Sequence, residues 1–229
     1  MRWNTPLSER HADLLLERLR ASSGEHVVDL GCGWGELLMR AVVAGASQTR
    51  GTGVDRDRRV LERGRMLAAR RGLADRVSFT EGDAAAWREP VDRLLCIGAS
   101  HAWGGTKDAL AALADVLAPG GTLLFGDGCW ETSPTAAAAA EFEGEVLALE
   151  TLVEHADSCG WRVLHLSTAN QREWDDFEAT WRAGRHRWLS ENPADERAAH
   201  VRKELADQLR QYVTVYRGVL GFCYLVLAR

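Results

Sequence analysis

Three glycines at alternate positions, Gly31, Gly33 and Gly35, follow an apolar run and open a helical pattern. Glycine lets backbone approach a ligand closely, and a helix start offers free amide N–H groups to bound oxygens. Asp29 stands two residues ahead of the first glycine, and Cys32 and Trp34 fill the gaps. A dinucleotide fingerprint would place its third glycine one position later, where this sequence has Glu36. The spacing therefore points away from a nicotinamide dinucleotide. A glycine cluster alone also serves as an ordinary turn.

Further residues add to the loop. Asp55 closes the next apolar run about one strand–helix unit downstream, where a carboxylate can accept hydrogen bonds from both ribose hydroxyls. A helix N-cap is its plain alternative. Glu81-Gly82-Asp83-Ala84 ends a third run. Asp83 there suits an adenine amino group, and Ala84 offers a backbone amide. Gly98-Ala99 ends a fourth run with side chains small enough for a ligand to lie against backbone. With Cys32 and Arg56, these residues make up the candidate cofactor contacts.

Alternating strands and helices must position these residues. Ser8 to Arg20 predicts an amphipathic helix, ended by Ser22-Ser23-Gly24. Strands follow at His26 to Leu30, Gly51 to Val54, Val77 to Phe79, Arg93 to Ile97 and Thr122 to Phe125. Helices at Glu36 to Ala44, Arg58 to Arg71 and Thr106 to Leu117 separate them. Thr135 to Gly160 reads as largely helical, Trp161 to Leu166 as a sixth strand and Val219 to Leu227 as a last one. The expectation is an α/β fold: a seven-stranded, mostly parallel, doubly wound sheet with an antiparallel last strand. Residues 1–229 form one domain, with helical insertions at 128–160 and 167–215 capping the site.

The order of motifs resembles the class I Rossmann-like S-adenosylmethionine-dependent methyltransferases. In that family an acid precedes a G-x-G-x-G loop, and a ribose acid, a Gly-Asp pair and a Pro-Gly-Gly turn follow. Asp29-Leu30-Gly31-Cys32-Gly33-Trp34-Gly35, Asp55, Gly82-Asp83 and Pro119-Gly120-Gly121 match them, over residues 25–127. The resemblance implies S-adenosylmethionine as cofactor, S-adenosylhomocysteine as product, and in-line methyl transfer to O, N, S or C. Cys96 to His101 and Tyr216 to Gly221 look like a bacterial small-molecule group within the family. A binding protein that holds the nucleoside without turnover is the other class of reading.

The sulfonium is already activated, so such a protein mainly aligns two reactants and excludes water. His101, after the fourth strand, is the candidate base; a loop histidine that shapes the pocket is the alternative. Trp103, Trp130, Glu131, Trp174, Trp181 and Tyr216 are candidate acceptor contacts. Trp174, Trp181 and Trp188 recur every seven residues, which places them on one helix face. That face either packs the insertion onto the body or lids an aromatic or methylammonium-like acceptor. The Asn-Pro-Pro-Tyr residues of amide-methylating relatives are replaced here by Gly98-Ala99-Ser100-His101.

Composition fits a small-molecule acceptor. Net charge is −5, with 46% hydrophobic and 27% charged residues, which gives no footprint for nucleic acid or an anionic membrane. The five cysteines are scattered without zinc-ligand spacing, so no metal is expected. The N-terminus lacks an apolar signal core and no run is long enough to span a bilayer, so a cytoplasmic location is expected. Oligomeric state is not encoded in any pattern.

Overall fold

The computed structural model describes residues 1–21, 24–45, 47–142 and 146–229. The expected turn at Ser22-Ser23 lies outside the described residues, as does part of the helical run expected over 135–160.

Five parallel strands build the first half: β1 (His26–Leu30), β2 (Arg50–Asp55), β3 (Val77–Glu81), β4 (Val91–Ile97) and β5 (Leu117–Trp130). A short β6 (Leu147–Ala148), then β7 (Arg162–Thr168) and β8 (Leu220–Ala228) complete the sheet. The path is β3-β2-β1-β4-β5-β8-β7, with β6 pairing onto β5. β8 runs antiparallel to both β5 and β7, and every residue of it is buried. The order reverses at β1, which is where open α/β sheets bind ligands.

Helices cover both faces. On one, α1 (Glu9–Leu19), α2 (Glu36–Ala44) and α3 (Arg58–Arg70) bury Leu15, Leu38 and Leu61 in one core layer. On the other, α4 (Thr106–Val116) and α6 (Leu149–Ser158) bury Leu110, Leu113 and Leu152. The short α5 (Ala136–Glu141) starts on a Thr135 cap. Trp161 joins α4 to the sheet by donating from Nε1 to the Leu110 carbonyl at 3.0 Å.

Two segments differ from the pattern. The fifth strand continues past Phe125 to Trp130, because β8 pairs with it residue by residue from Thr122↔Ala228 to Trp130↔Leu220. Asp127 and Trp130 therefore sit in the sheet and not in a rim loop. Between α5 and α6 the chain forms β6, whose Leu147 and Ala148 pair with Cys129 and Trp130. That gives an eighth, two-residue strand which alternation alone does not reveal.

The second half adds α7 (Gln171–Glu191), α8 (Ala198–Gln211) and a π-turn at Tyr212–Tyr216. α7 begins with a capping box: Asn170 accepts from the Glu173 amide at 3.1 Å, and Glu173 accepts from the Asn170 amide at 2.9 Å. Glu173 also accepts from the Ser8 amide at 2.9 Å and lies 3.1 Å from His11 Nδ1. One buried carboxylate thus ties α7 to the start of α1. Burial pushes its pKa up, but the bonds from His11, Ser8 and Asn170 outweigh this and hold it at about 2.

Because that pKa lies below its ordinary value of 4.5, the stabilisation is complete above about pH 4.5 and fades as pH falls toward 2. Glu173→Gln should lower unfolding free energy by about 1–3 kcal/mol at pH 7. Denaturant titrations at pH 7 and at pH 3 check this, and the gap between variant and parent should narrow at the lower pH.

Candidate active site

The loop after β1 is pinned to its neighbour strand. The amides of Gly31 and Cys32 both donate to the Val54 carbonyl, at 2.9 and 3.0 Å. Gly33 donates to Asp55 Oδ2 at 2.8 Å, and Asp55 Oδ1 accepts from the Asp57 amide at 2.9 Å. Gly31 has φ +80°, and a Cβ there would overlap the Ala99 methyl at the end of β4. Glycine is required at this point for both its torsion and its missing side chain.

Around this loop lies a cavity of about 370 Å³. Asp29, Gly31, Cys32, Gly33, Asp55, Arg56, Ala84, Gly98, Ala99 and His101 line it. Gly35 and Asp83 are not among the lining residues. Gly35 caps α2 at φ +67°, packed against Phe79. Asp83 caps the short helix Ala84–Ala86 and pairs with Arg56 at 2.5 Å, and that bond holds its carboxyl below the usual range.

Asp29 is the electrostatic centre of the cavity. It is 5% exposed, and no described residue donates a hydrogen bond to it. Burial, and then the charge of Asp55, push its pKa up to about 8. The guanidinium groups around the site are engaged elsewhere: Arg56 on Asp83, Arg40 and Arg71 on Glu36 at 3.1 and 2.7 Å. A buried carboxylate without a protein cation fits a ligand that brings its own positive charge. The Cys32 thiol, raised by burial and by Asp29 and Asp55, stays protonated and acts as a small apolar group. Among the described residues no cluster of His, Cys, Asp or Glu could hold a metal ion.

The acceptor candidates lie elsewhere in the fold, since none of Trp103, Trp130, Glu131, Trp174, Trp181 and Tyr216 lines this cavity. Trp103 packs against the core layer of α4. Glu131 is exposed. Trp130 meets Phe142 edge-on at 5.8 Å; Trp174 and Tyr216 are buried, and Tyr216 donates to Glu178 at 2.8 Å. Trp181 is stacked under Arg185 at 3.3 Å.

Instead, residues near the N-terminus form one wall of the cavity. Arg2, Trp3, Asn4, Thr5 and Leu7 line it, as does Phe222 of β8. Trp34 Nε1 donates to the Arg2 carbonyl at 2.9 Å, and Tyr224 Oη donates to the Pro6 carbonyl at 3.0 Å. The sequence signals for this segment are slight: a tryptophan and a Pro-Leu pair ahead of the Ser8 cap.

A parallel sheet ending in an antiparallel strand, with a glycine loop facing two strand-end acids, defines the Rossmann-like methyltransferase fold. The methyltransferase domain family model matches residues 21–185, and the chain belongs to that family. It is similar over nearly its whole length to the uncharacterized protein YjhP of Escherichia coli strain K12, 34% identical over 228 residues, covering 96% of this chain and 91% of YjhP. A SAM-dependent methyltransferase from Thiobacillus denitrificans, solved in complex with S-adenosyl-L-homocysteine, superposes with TM-score 0.88 at 33% identity, covering 99% of this chain and 94% of that one. A trans-aconitate 2-methyltransferase of Paracidovorax citrulli is 37% identical over 136 residues, 54% of this chain and 49% of that protein. The protein is an S-adenosylmethionine-dependent methyltransferase.

Replacing Gly31 with alanine should weaken S-adenosylhomocysteine binding at least tenfold and lower the melting temperature. Combining it with Ala99→Gly removes the overlap but leaves the left-handed torsion, which costs about 1–2 kcal/mol. Calorimetric titration and thermal unfolding of both single variants and the pair should show partial, not full, recovery.

Proposed function

We propose that this enzyme methylates O, N, S or C of a small metabolite or natural product in the cytoplasm. The observation that carries this reading is the N-terminal segment folded over the cofactor cavity. A cavity of about 370 Å³ with residues 2–7 along one wall is of the size that suits a small molecule rather than a polymer. The net charge of −5 supports the same reading, since nucleic-acid enzymes draw affinity from basic surfaces. No helix among the described residues is long and apolar enough to cross a membrane.

In this reading Asp29 holds the ammonium of the cofactor's amino-acid end, and the glycine loop, whose Gly31, Cys32 and Gly33 amides are engaged by Val54 and Asp55, lets the ligand lie close to backbone. Asp55 accepts from the ribose hydroxyls with the lone pairs that Gly33 and Asp57 leave free. Ala84, backed by the Arg56–Asp83 pair, borders the base. The bound cofactor supplies a methyl group already activated on sulfonium. His101, exposed in the short helix Ser100–Trp103 and on the cavity wall, takes the acceptor's proton.

Incubation with tritiated S-adenosylmethionine and a bacterial extract should place label in the small-molecule fraction. Label confined to RNA, DNA or protein would overturn the proposal. His101→Ala should reduce that incorporation about 10²–10⁴-fold while S-adenosylhomocysteine binds as before.

Asp29, with its pKa near 8, is largely protonated at pH 7 in the free protein. A ligand ammonium favours the carboxylate, so binding should expel a proton and tighten as pH rises toward 8. Calorimetry in buffers of different ionisation enthalpy counts that proton, and Asp29→Asn should abolish its release.

A further inference from the structure

A second cavity, of about 440 Å³, lies on the other side of the N-terminal segment, between it and α7. Arg2, Trp3, Thr5 and Leu7 line both spaces, so a single thickness of chain separates them. The first cavity, at about 370 Å³, lies near the lower end of the range for one small-molecule ligand. Methyl transfer needs two ligands side by side. The adjoining cavity supplies the missing room, at the edge where α7 meets the first helix.

Its walls have a definite chemistry. Trp3, Leu7 and Phe177 give apolar surface, with Phe177 set edge-on to Trp174 at 6.2 Å. Trp3 already carries a cation over its ring, the Arg40 guanidinium at 5.0 Å. Glu9, Glu173 and Asp176 are the acidic groups of the lining, and Arg2, paired with Glu9, is its one basic side chain. Glu173 is ionised and already bonded to Ser8, His11 and Asn170. Asp176 is exposed and no interaction is found for it among the described residues.

We propose that this second cavity is the acceptor subsite, and that it selects a small amphipathic cation: an apolar or aromatic body against Trp3, Leu7 and Phe177, and an ammonium handle at the Asp176 side. The inference rests on the small-molecule reading above. The handle is remote from the atom that receives the methyl group, since an ammonium nitrogen has no lone pair to donate. The Trp3–Thr5 segment is the partition that the reacting end must pass. Acceptor choice is then set by α7 and the N-terminal segment, while the sheet sets the cofactor.

Phenethylammonium and phenylacetate, similar in shape and opposite in charge, test the cavity on protein saturated with S-adenosylhomocysteine. Calorimetry should show phenethylammonium binding and phenylacetate at least tenfold weaker. Thr180→Trp, which fills the cavity from an exposed helix position, and Asp176→Lys should each weaken phenethylammonium at least tenfold. Both should keep S-adenosylhomocysteine affinity within about twofold and unfold as cooperatively as the parent. Equal or tighter binding of phenylacetate overturns the charge assignment. Binding indifferent to both variants, or no binding of either probe, overturns the location. Saturation with S-adenosylhomocysteine is verified before any probe is added; label confined to RNA, DNA or protein in the extract assay, with phenethylammonium still bound, would sink the small-molecule reading instead.

Discussion

The glycine-loop end of this sheet is organised around a carboxylate buried without a countercharge among the described residues. Parallel pairing of β1 with β2 sets Asp29 opposite Gly53 and Leu30 opposite Val54. That register delivers Asp29 and Asp55 to the same end of adjacent strands, separated by the glycine loop. Two acids so close would ordinarily recruit an arginine, and several are at hand. Arg56 is drawn off to Asp83, and Arg40 and Arg71 to Glu36. Asp29 is left with burial and a like charge, both of which disfavour its ionised form. The neutral acid is therefore the favoured form at neutral pH. The glycine loop follows from the same constraint, because the Gly33 amide, and not a side chain, satisfies Asp55.

The N-terminal wall of the cavity is held by contacts between distant parts of the chain. Glu173 serves at once as the capping-box acid of α7 and as the acceptor for Ser8 and His11. A loss at that carboxylate would loosen the α7 start and the N-terminal segment together. Trp34, inside the glycine loop, holds the same segment from the opposite side through the Arg2 carbonyl, with Arg63 stacked on its ring at 4.0 Å. The segment is therefore fastened both to the glycine loop and to α7.

How much of this was legible in the sequence follows from the same division. The glycine loop, Asp55, Ala84 and Gly98-Ala99 each sit at the end of an apolar strand, within a few residues of a local signal, so spacing along the chain places them. Strands β1 and helix α2 are local in the same sense: apolar periodicity and a glycine start define both. Asp83 was legible as an acid just past a strand end, but its partner Arg56 decides where the carboxylate goes. The N-terminal segment has no such signature. Its place depends on Glu173, 165 residues from Ser8, and on Tyr224, 218 residues from Pro6. Nothing in residues 1–7 announces those partners. β6 is likewise invisible, since two residues carry no period, and its pairing exists only because β5 runs on to Trp130.

The tryptophans of α7 show why an aromatic period is weak grounds for assigning a ligand surface. Trp174, at the start of the helix, is buried against Phe177 and Tyr216. Trp181 and Trp188, one and two heptads on, are half-buried under Arg185 and Arg197. One repeat thus yields a core contact first and arginine-covered surface afterwards. The helix outruns the body it packs on, and the same side-chain type changes role along its length. The face that approaches the N-terminal segment is a different one, carrying Glu173, Asp176, Phe177 and Thr180. Those four lie three and four residues apart, the spacing of one helical stripe. Only Phe177 among them is aromatic, so a search for aromatic spacing passes over the stripe. Its setting comes from what stands opposite, a segment that also walls the cavity at the glycine loop.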